Sequence, residues 1–212
     1  SRFATVLPEL VAELPALRSP VGERNALRGV VAQRMWQACH PYRADFITPM
    51  AAVAGAVAQE IVACYAQPGI TRAWVNNGGD IALHLTPGAS VRVGLWSDLA
   101  RFTPGTGPLR TDGQFTVDAT MSVRGIATSG WRGRSFSLGI ADSVTVLAAT
   151  AAMADAAATV IANAVDLDDP CIVRAPANSL KDDTDLGDRL VTVQAPPLGE
   201  ERVGQARQSG LL

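Results

Sequence analysis

The chain has 212 residues, 48% of them hydrophobic, and its 18 basic and 20 acidic side chains leave a formal charge of -2. That length is enough to bury one substantial core, and the balanced charge excludes a global field that would draw in nucleic acid or an anionic membrane surface. Three widely spaced cysteines, Cys39, Cys64 and Cys171, build neither a disulfide framework nor a CxxC motif, so a reducing cytoplasm is the expected compartment.

No secretory leader pattern opens the chain at Ser1. Pro8, Pro15, Pro20 and Gly22 punctuate an expected N-terminal arm, extended and partly helical. Val31, Met35 and Ala38 then share the spacing of a short helix over 30–39, which His40-Pro41 should stop. Thr48 and Pro49 read as N-cap and first position of an alanine-rich helix with Met50, Val53, Val57, Ile61 and Cys64 on one face, ended by Pro68-Gly69. The apolar stretch 49–63 is shorter than the roughly 20 residues a membrane span needs. Residues 70–75 and 80–85 read as strands around the turn Asn76-Asn77-Gly78-Gly79, with Ile81, Leu83 and Leu85 on one face of the second. A third strand is expected over 91–96, a Gly/Pro/Thr-rich loop over 98–113, and strands over 114–123 and 143–148. Thr150 caps a second alanine-rich helix running to about Val165, and strands follow over 171–174 and 190–194.

Helices interspersed with hairpins predict an α+β fold of mainly antiparallel sheets packed with alanine-rich helices. The whole of 1–212 reads as a single domain, divided into an arm with a short helix over 1–47, the core motifs over 48–165, and C-terminal strands and tail over 166–212. An offset of 100 residues lays Ala52, Ala54, Ala56, Ala58 and Ile61 on Ala152, Ala154, Ala156, Ala158 and Ile161. Internal duplication and shared alanine-rich composition both account for that match. Alanine-rich helices and exposed strand edges also suit a homodimer.

Three segments carry the residues able to do chemistry. Arg124 to Ser135 concentrates arginines, glycines and hydroxyls, the donors that wrap an anion such as a diphosphate or an acidic small molecule; solvated arginines on a glycine-rich turn are the competing reading. Because nearly all the positive charge is arginine, with Lys181 the one lysine, forked anion contacts are favoured. Neither a Walker loop nor GxGxxG is present. In the second alanine-rich helix Asp155, Thr159 and Asn163 recur every four residues and share a face. A carboxylate among aliphatic neighbours is costly unless it is compensated, so Asp155 with the Thr159 hydroxyl could supply hard oxygen ligands to Mg²⁺, unless the stripe simply faces water. Lastly, Asn76-Asn77-Gly78-Gly79-Asp80 satisfies a hairpin turn and also offers side-chain amides to a heterocycle edge. Trp131 offers either a stacking ring or packing. The run Asp182, Asp183, Asp185, Asp188 lacks the order of an EF-hand and reads as a solvated loop.

Taken in order, Val75-Asn76-Asn77-Gly78-Gly79-Asp80-Ile81, Ile126-Ala127-Thr128-Ser129-Gly130, and Ser143-Val144-Thr145-Val146 leading into Ala154-Asp155-Ala156-Ala157-Ala158-Thr159 resemble the ApbE-like superfamily of FAD:protein FMN transferases over about 48–165. The resemblance implies Mg²⁺ at Asp155 and Thr159, and a flavin nucleotide, FAD or FMN, at Asn76, Asn77, Gly78, Gly79, Asp80, Thr128, Ser129, Gly130 and Trp131. Two family features are absent. Ala54-Gly55 stands where the transferases carry lysine-glycine, and Ser137 to Asp142 stands where they carry H-x-x-D-P-x-x-G. A lysine and a histidine able to stabilise charge and move protons are thereby lost, leaving Asp155, Arg132, Arg134 and Asp142 as candidates for any chemistry. Three readings stay open: a flavin transferase of altered specificity, a non-catalytic flavin-binding or delivery module for a redox partner, and a flavin-dependent small-molecule enzyme.

Overall fold

In the computed structural model, which describes residues 1–95 and 111–211, the side chains of one strand, turned alternately to its two faces and buried on both, show how the layers are arranged. The elements in chain order are α1 (Arg2–Ala12), α2 (Leu14–Leu17), α3 (Val30–Cys39), α4 (Val53–Ala63), β1 (Arg72–Asn77), β2 (Asp80–Leu85), β3 (Ser90–Leu95), β4 (Gly113–Asp118), β5 (Gly125–Ser129), β6 (Val144–Ala148), α5 (Ala151–Ala164), β7 (Val173–Pro176), α6 (Ala177–Leu180), β8 (Leu190–Gln194) and α7 (Glu200–Ser209). Strands β1, β2, β5 and β6 form one antiparallel sheet in the order β1-β2-β5-β6, while β3-β4 and β7-β8 form two-stranded antiparallel ribbons. On β2, Ala82 packs with Ala58, Val62 and Ala151 of the helical layer. Its neighbours Leu83 and Leu85 pack on the other side with Val93 and Val117 of the β3-β4 ribbon. The central sheet is therefore sandwiched between helices and a ribbon, an α+β arrangement of antiparallel sheets and helices. No helix among the described residues is long and apolar enough to cross a membrane.

Alanine lets the helices approach this sheet closely. Ala127 on β5 meets Ala154 and Ala158 of α5, and the largest cluster of buried residues joins α1, α2, α3 and α4 to Ala152 and Ala156 of α5. Two glycines tighten the fit. A Cβ on Gly125 would overlap the main chain at Thr150 and Ala151, and one on Gly55 would overlap the Ala151 carbonyl. A chain that brings main chain to main chain here has room for hydrogen only.

Several expectations are corrected. The Arg124 to Ser135 segment is not a loop throughout, since Gly125–Ser129 is an inner strand of the sheet, with Ile126 buried and Gly125 serving close packing rather than anion wrapping. Thr48 does not cap α4. A 3₁₀ turn, Pro49–Ala52, intervenes, and the Thr48 hydroxyl is drawn away to donate to Asp185. The N-terminal arm is mostly helical, α1 running through exposed Pro8 because Val6 and Leu10 bury one face of it. Helix α3 does end at Cys39, as the His40-Pro41 pair leads one to expect, and the chain then makes a 3₁₀ turn over His40–Tyr42. Strand β1 starts two residues later than expected, at Arg72, and runs to Asn77. Strand β4 ends at Asp118, where that side chain accepts from the Thr120 and Met121 N–H groups and turns the chain. Strand β7 begins at Val173 rather than Cys171, because Asp169 holds the Cys171 N–H in a turn. Trp96 and most of the expected 98–113 loop lie outside the described residues. Thr150 does cap α5, its hydroxyl accepting from the Met153 N–H at 3.2 Å.

The sheet-to-helix contact at Gly125 sets the first prediction. Gly125→Ala should lower unfolding free energy by about 3 kcal/mol, since main chain rather than a movable side chain must give way. Urea denaturation measures this, and a loss below about 0.5 kcal/mol would show that the strand and helix do not meet as described.

Candidate functional site

Helix α4 starts without a side-chain cap of its own, which leaves its first N–H groups in need of acceptors. Asp155, one turn into α5, provides them. Its Oδ2 accepts from the Gly55 N–H at 2.9 Å, and the Ala54 N–H donates to the same carboxyl. The close crossing at Gly55 makes this possible, because any side chain there would hold the helices apart.

Asp80 opposes the charge of that carboxyl. It begins β2 on the face that carries Ala82, toward the helices, and accepts from the Thr128 N–H at 3.3 Å. Burial pushes the Asp80 carboxyl up to about 6, against the pull of the Thr128 N–H and of Arg134. Burial, and next the nearby charge of Asp80, push Asp155 up to about 8, although the two main-chain donors work the other way. The Cys39 thiol lies beneath, raised by its own burial and then by the charge of Asp155. Two carboxyls thus share a poorly solvated space that neutral pH cannot fully ionise without a compensating cation.

The turn above them completes the site. Gly78 and Gly79 take φ values of 74° and 119°, which glycine adopts without strain. The Arg134 guanidinium lies so close over Gly78 that a Cβ there would overlap it. Asn77 faces the helices and its Nδ2 donates to the Ala54 carbonyl at 3.2 Å. Thr159 lies one turn beyond Asp155 on the same helix face and is partly buried.

Other expected site residues are placed elsewhere. Asn76 projects to the opposite face of the sheet from Asn77, its Oδ1 accepting from the Gly79 N–H at 2.8 Å. Thr128 also points away from the helices and meets Thr145, hydroxyl to hydroxyl, at 2.8 Å. Ser129 ends β5, and Gly130 is pressed against the main chain of Ala141 and Asp142. Trp131 donates from Nε1 to Asp142 at 3.0 Å, and Arg132 pairs with the same carboxylate at 2.8 Å and lies over the Trp131 ring. Asp142 is thereby occupied by two partners, and Arg132 is drawn away from the carboxyl pair. Asn163 is structural, since its Oδ1 accepts from Ser137 Oγ and the Leu138 N–H at 3.2 and 2.9 Å. The acidic 182–188 segment is tied down too, by Arg18 to Asp183 and Thr48 to Asp185.

The arrangement suits a hard divalent cation. Asp155, Asp80 and the Thr159 hydroxyl are oxygen donors on neighbouring elements, of the kind that Mg²⁺ takes alongside waters and phosphate oxygens. Among the described residues no three His, Cys, Asp or Glu side chains gather into a metal-binding group, so a zinc-type nitrogen and sulfur set is not formed there.

The raised acids predict a pH dependence. In the unfolded chain both aspartates titrate near 3.8, whereas folded they titrate near 6 and 8, so between these limits the native state holds more protons. Stability in chelator should therefore fall as pH rises from about 4.5 to about 8, and Asp155→Asn should flatten the decline and raise the melting temperature at pH 8. The carboxylates held below their usual range, Glu9 by Arg2, Glu23 by Arg43, Asp118 by Thr120 and Asp169 by the Cys171 main chain, act below that window. Melting curves across this window test it, and stability that climbs from pH 5 to 8 contradicts it.

Comparison with known proteins gives the site its context. The family described as "AbpE bacteria" matches residues 1–212. Among curated relatives, a UPF0280 protein of Methanospirillum hungatei is 37% identical over 134 residues, covering 62% of this chain and 51% of the relative. One from Methanopyrus kandleri is 37% identical over 166 residues, covering 77% and 62%. Another, from Methanosphaerula palustris, is 38% identical over 120 residues, covering 56% and 47%. The matched region thus spans about half to three-fifths of these relatives' length.

Proposed function

This chain belongs to the ApbE-like family described as "AbpE bacteria", and from that premise we propose that it binds a flavin nucleotide, FAD or FMN, together with Mg²⁺ at Asp155 and Thr159. The observation that carries this reading is the Asp80–Asp155 pair, two partly buried acids of which the charge of Asp80 disfavours that of Asp155, a conflict a divalent ion would relieve. Asp80 acts as the second carboxylate. Arg134, over the Gly78-Gly79 turn, is placed to fork onto phosphate oxygens beside the cation.

When bound, Mg²⁺ would supply Lewis-acid polarisation of a phosphoryl oxygen. The chain's own residues do the rest. The Ala54 and Gly55 N–H groups fix the orientation of Asp155, Asn77 ties the turn to α4 through the Ala54 carbonyl, and the Thr128 N–H holds Asp80.

Binding without transfer is favoured over FMN transfer by two observations. Transfer would need an acceptor oxygen to lose a proton as it bonds to the FMN phosphorus and the bond to AMP breaks. At position 54, beside Asp155, stands a methyl group rather than a lysine, and Asp142 is already engaged by Trp131 and Arg132. A binding or delivery role for a redox partner follows.

Titrating the purified protein with FAD, followed by flavin fluorescence with Mg²⁺ and with EDTA, tests this reading. Mg²⁺ should tighten binding, while Asp155→Asn and Arg134→Ala should each weaken it by about tenfold or more, with mass spectrometry showing intact FAD. Equal binding in EDTA, or none at all, would contradict the cation-bridged site, and released AMP would restore transfer.

A further inference from the structure

On the face of the sheet turned away from Asp155, the outward side chains of edge strand β1 form one wall of a cleft. Arg72, Trp74 and Asn76 follow at two-residue intervals, all exposed. Facing them is the edge of β3 that, among the described residues, pairs with no strand, β4 lying on its other side, and the floor is Ile81 of β2. The cleft has a volume of about 440 Å³ and takes Arg92 and Gly94 from β3, within the range of small-molecule sites.

Three features of this cleft share one chemistry. Trp74 leaves 57% of its surface exposed in a fold that buries much smaller apolar groups, so an indole face is open for stacking. Arg72 uses one guanidinium nitrogen on the Ser90 carbonyl, at 3.3 Å, which anchors it while its remaining donors stay open. Among the described residues no carboxylate pairs with Arg72 or Arg92, so two positive charges stand at one cleft in a chain of net charge -2. Asn76 spends its Oδ1 on the Gly79 N–H, which fixes the amide and leaves its Nδ2 to donate.

We infer that this cleft is a second binding site, independent of the Asp155 site, for a nucleoside monophosphate whose base stacks on Trp74 while its phosphate lies between Arg72 and Arg92. Asn76 then donates to an acceptor on the base edge. Neither interaction calls on a metal, because the two guanidinium groups balance a dianionic phosphate directly. The site therefore keeps its full affinity in chelator, where the Asp155 site is weakened.

Binding of AMP and UMP measured by calorimetry in EDTA tests the inference, with adenosine and ribose 5-phosphate as the two half-molecules. At least one nucleotide should bind, and each half should bind about tenfold more weakly or worse. Trp74→Ala should cost about tenfold or more in affinity, Trp74→Phe should restore part of it, and Arg92→Ala, an exposed change that spares the fold, should cost a similar factor while leaving adenosine unaffected. If neither nucleotide binds in EDTA, or if binding is unchanged by both Trp74→Ala and Arg92→Ala, the inference is overturned. Because no Mg²⁺ is present, that failure leaves the metal-dependent FAD titration untouched, and failure of the FAD titration leaves this one standing.

Discussion

The site is organised by one carboxyl group used in two ways. Asp155 caps the start of α4 across a helix-helix crossing, and the same group lies close enough to Asp80 for that neighbour's charge to disfavour its own. Capping asks for a negative charge, while burial and Asp80 resist it. A group caught between those demands is a sensitive place to install a cation. It is also why α4, α5 and β2 are held in register at this end of the sheet.

Small residues make the crossing possible. Gly55 lets α5 come within hydrogen-bonding reach of the first turn of α4, Gly125 lets α5 lie on β5, and Ala127, Ala154 and Ala158 keep the rest of that interface thin. Thin packing gains little per residue from apolar burial. The return is position: main-chain donors reach a side chain on the neighbouring helix, and an arginine from beyond β5 reaches back over a two-glycine turn. Larger aliphatic residues would give more apolar contact and separate the groups that matter.

Much of this was legible in the residues. The hairpin around Gly78-Gly79, the Thr150 cap, the span of α5 and the oddity of Asp155 among alanines follow from turn chemistry, capping and periodicity, and all are found. What could not be read was tertiary. Asp155 faces Asp80 because β2 happens to lie beside α5, and no spacing along the chain encodes a neighbour 75 positions away. Asn163 shares the stripe of Asp155 yet serves a different end, holding the Ser137-Leu138 turn. Thr48 looks like a cap but is claimed by Asp185 from a distant loop. The glycine-rich run after Arg124 misleads for a related reason, since glycine serves close packing as readily as it serves anion binding. Gly55 within a run of alanines was the available signal that a neighbour approaches there.

The period of the strands also divides the expected ligand residues. Asn77 and Asp80 turn to the helices and the carboxyl pair, whereas Asn76 and Thr128 turn to the other face, so a set that is contiguous in sequence serves two surfaces. The central claim is that Asp155 is an acid held near neutrality until a divalent ion compensates it. Carbon-13 NMR of the aspartate carboxyls, assigned with Asp155→Asn and recorded from pH 4 to 9 with and without Mg²⁺, measures that directly. The account predicts a carboxyl titrating near 8 in chelator that becomes ionised well below that pH when Mg²⁺ is added. An Asp155 signal that titrates at the ordinary value near 3.8, unmoved by Mg²⁺, would contradict it.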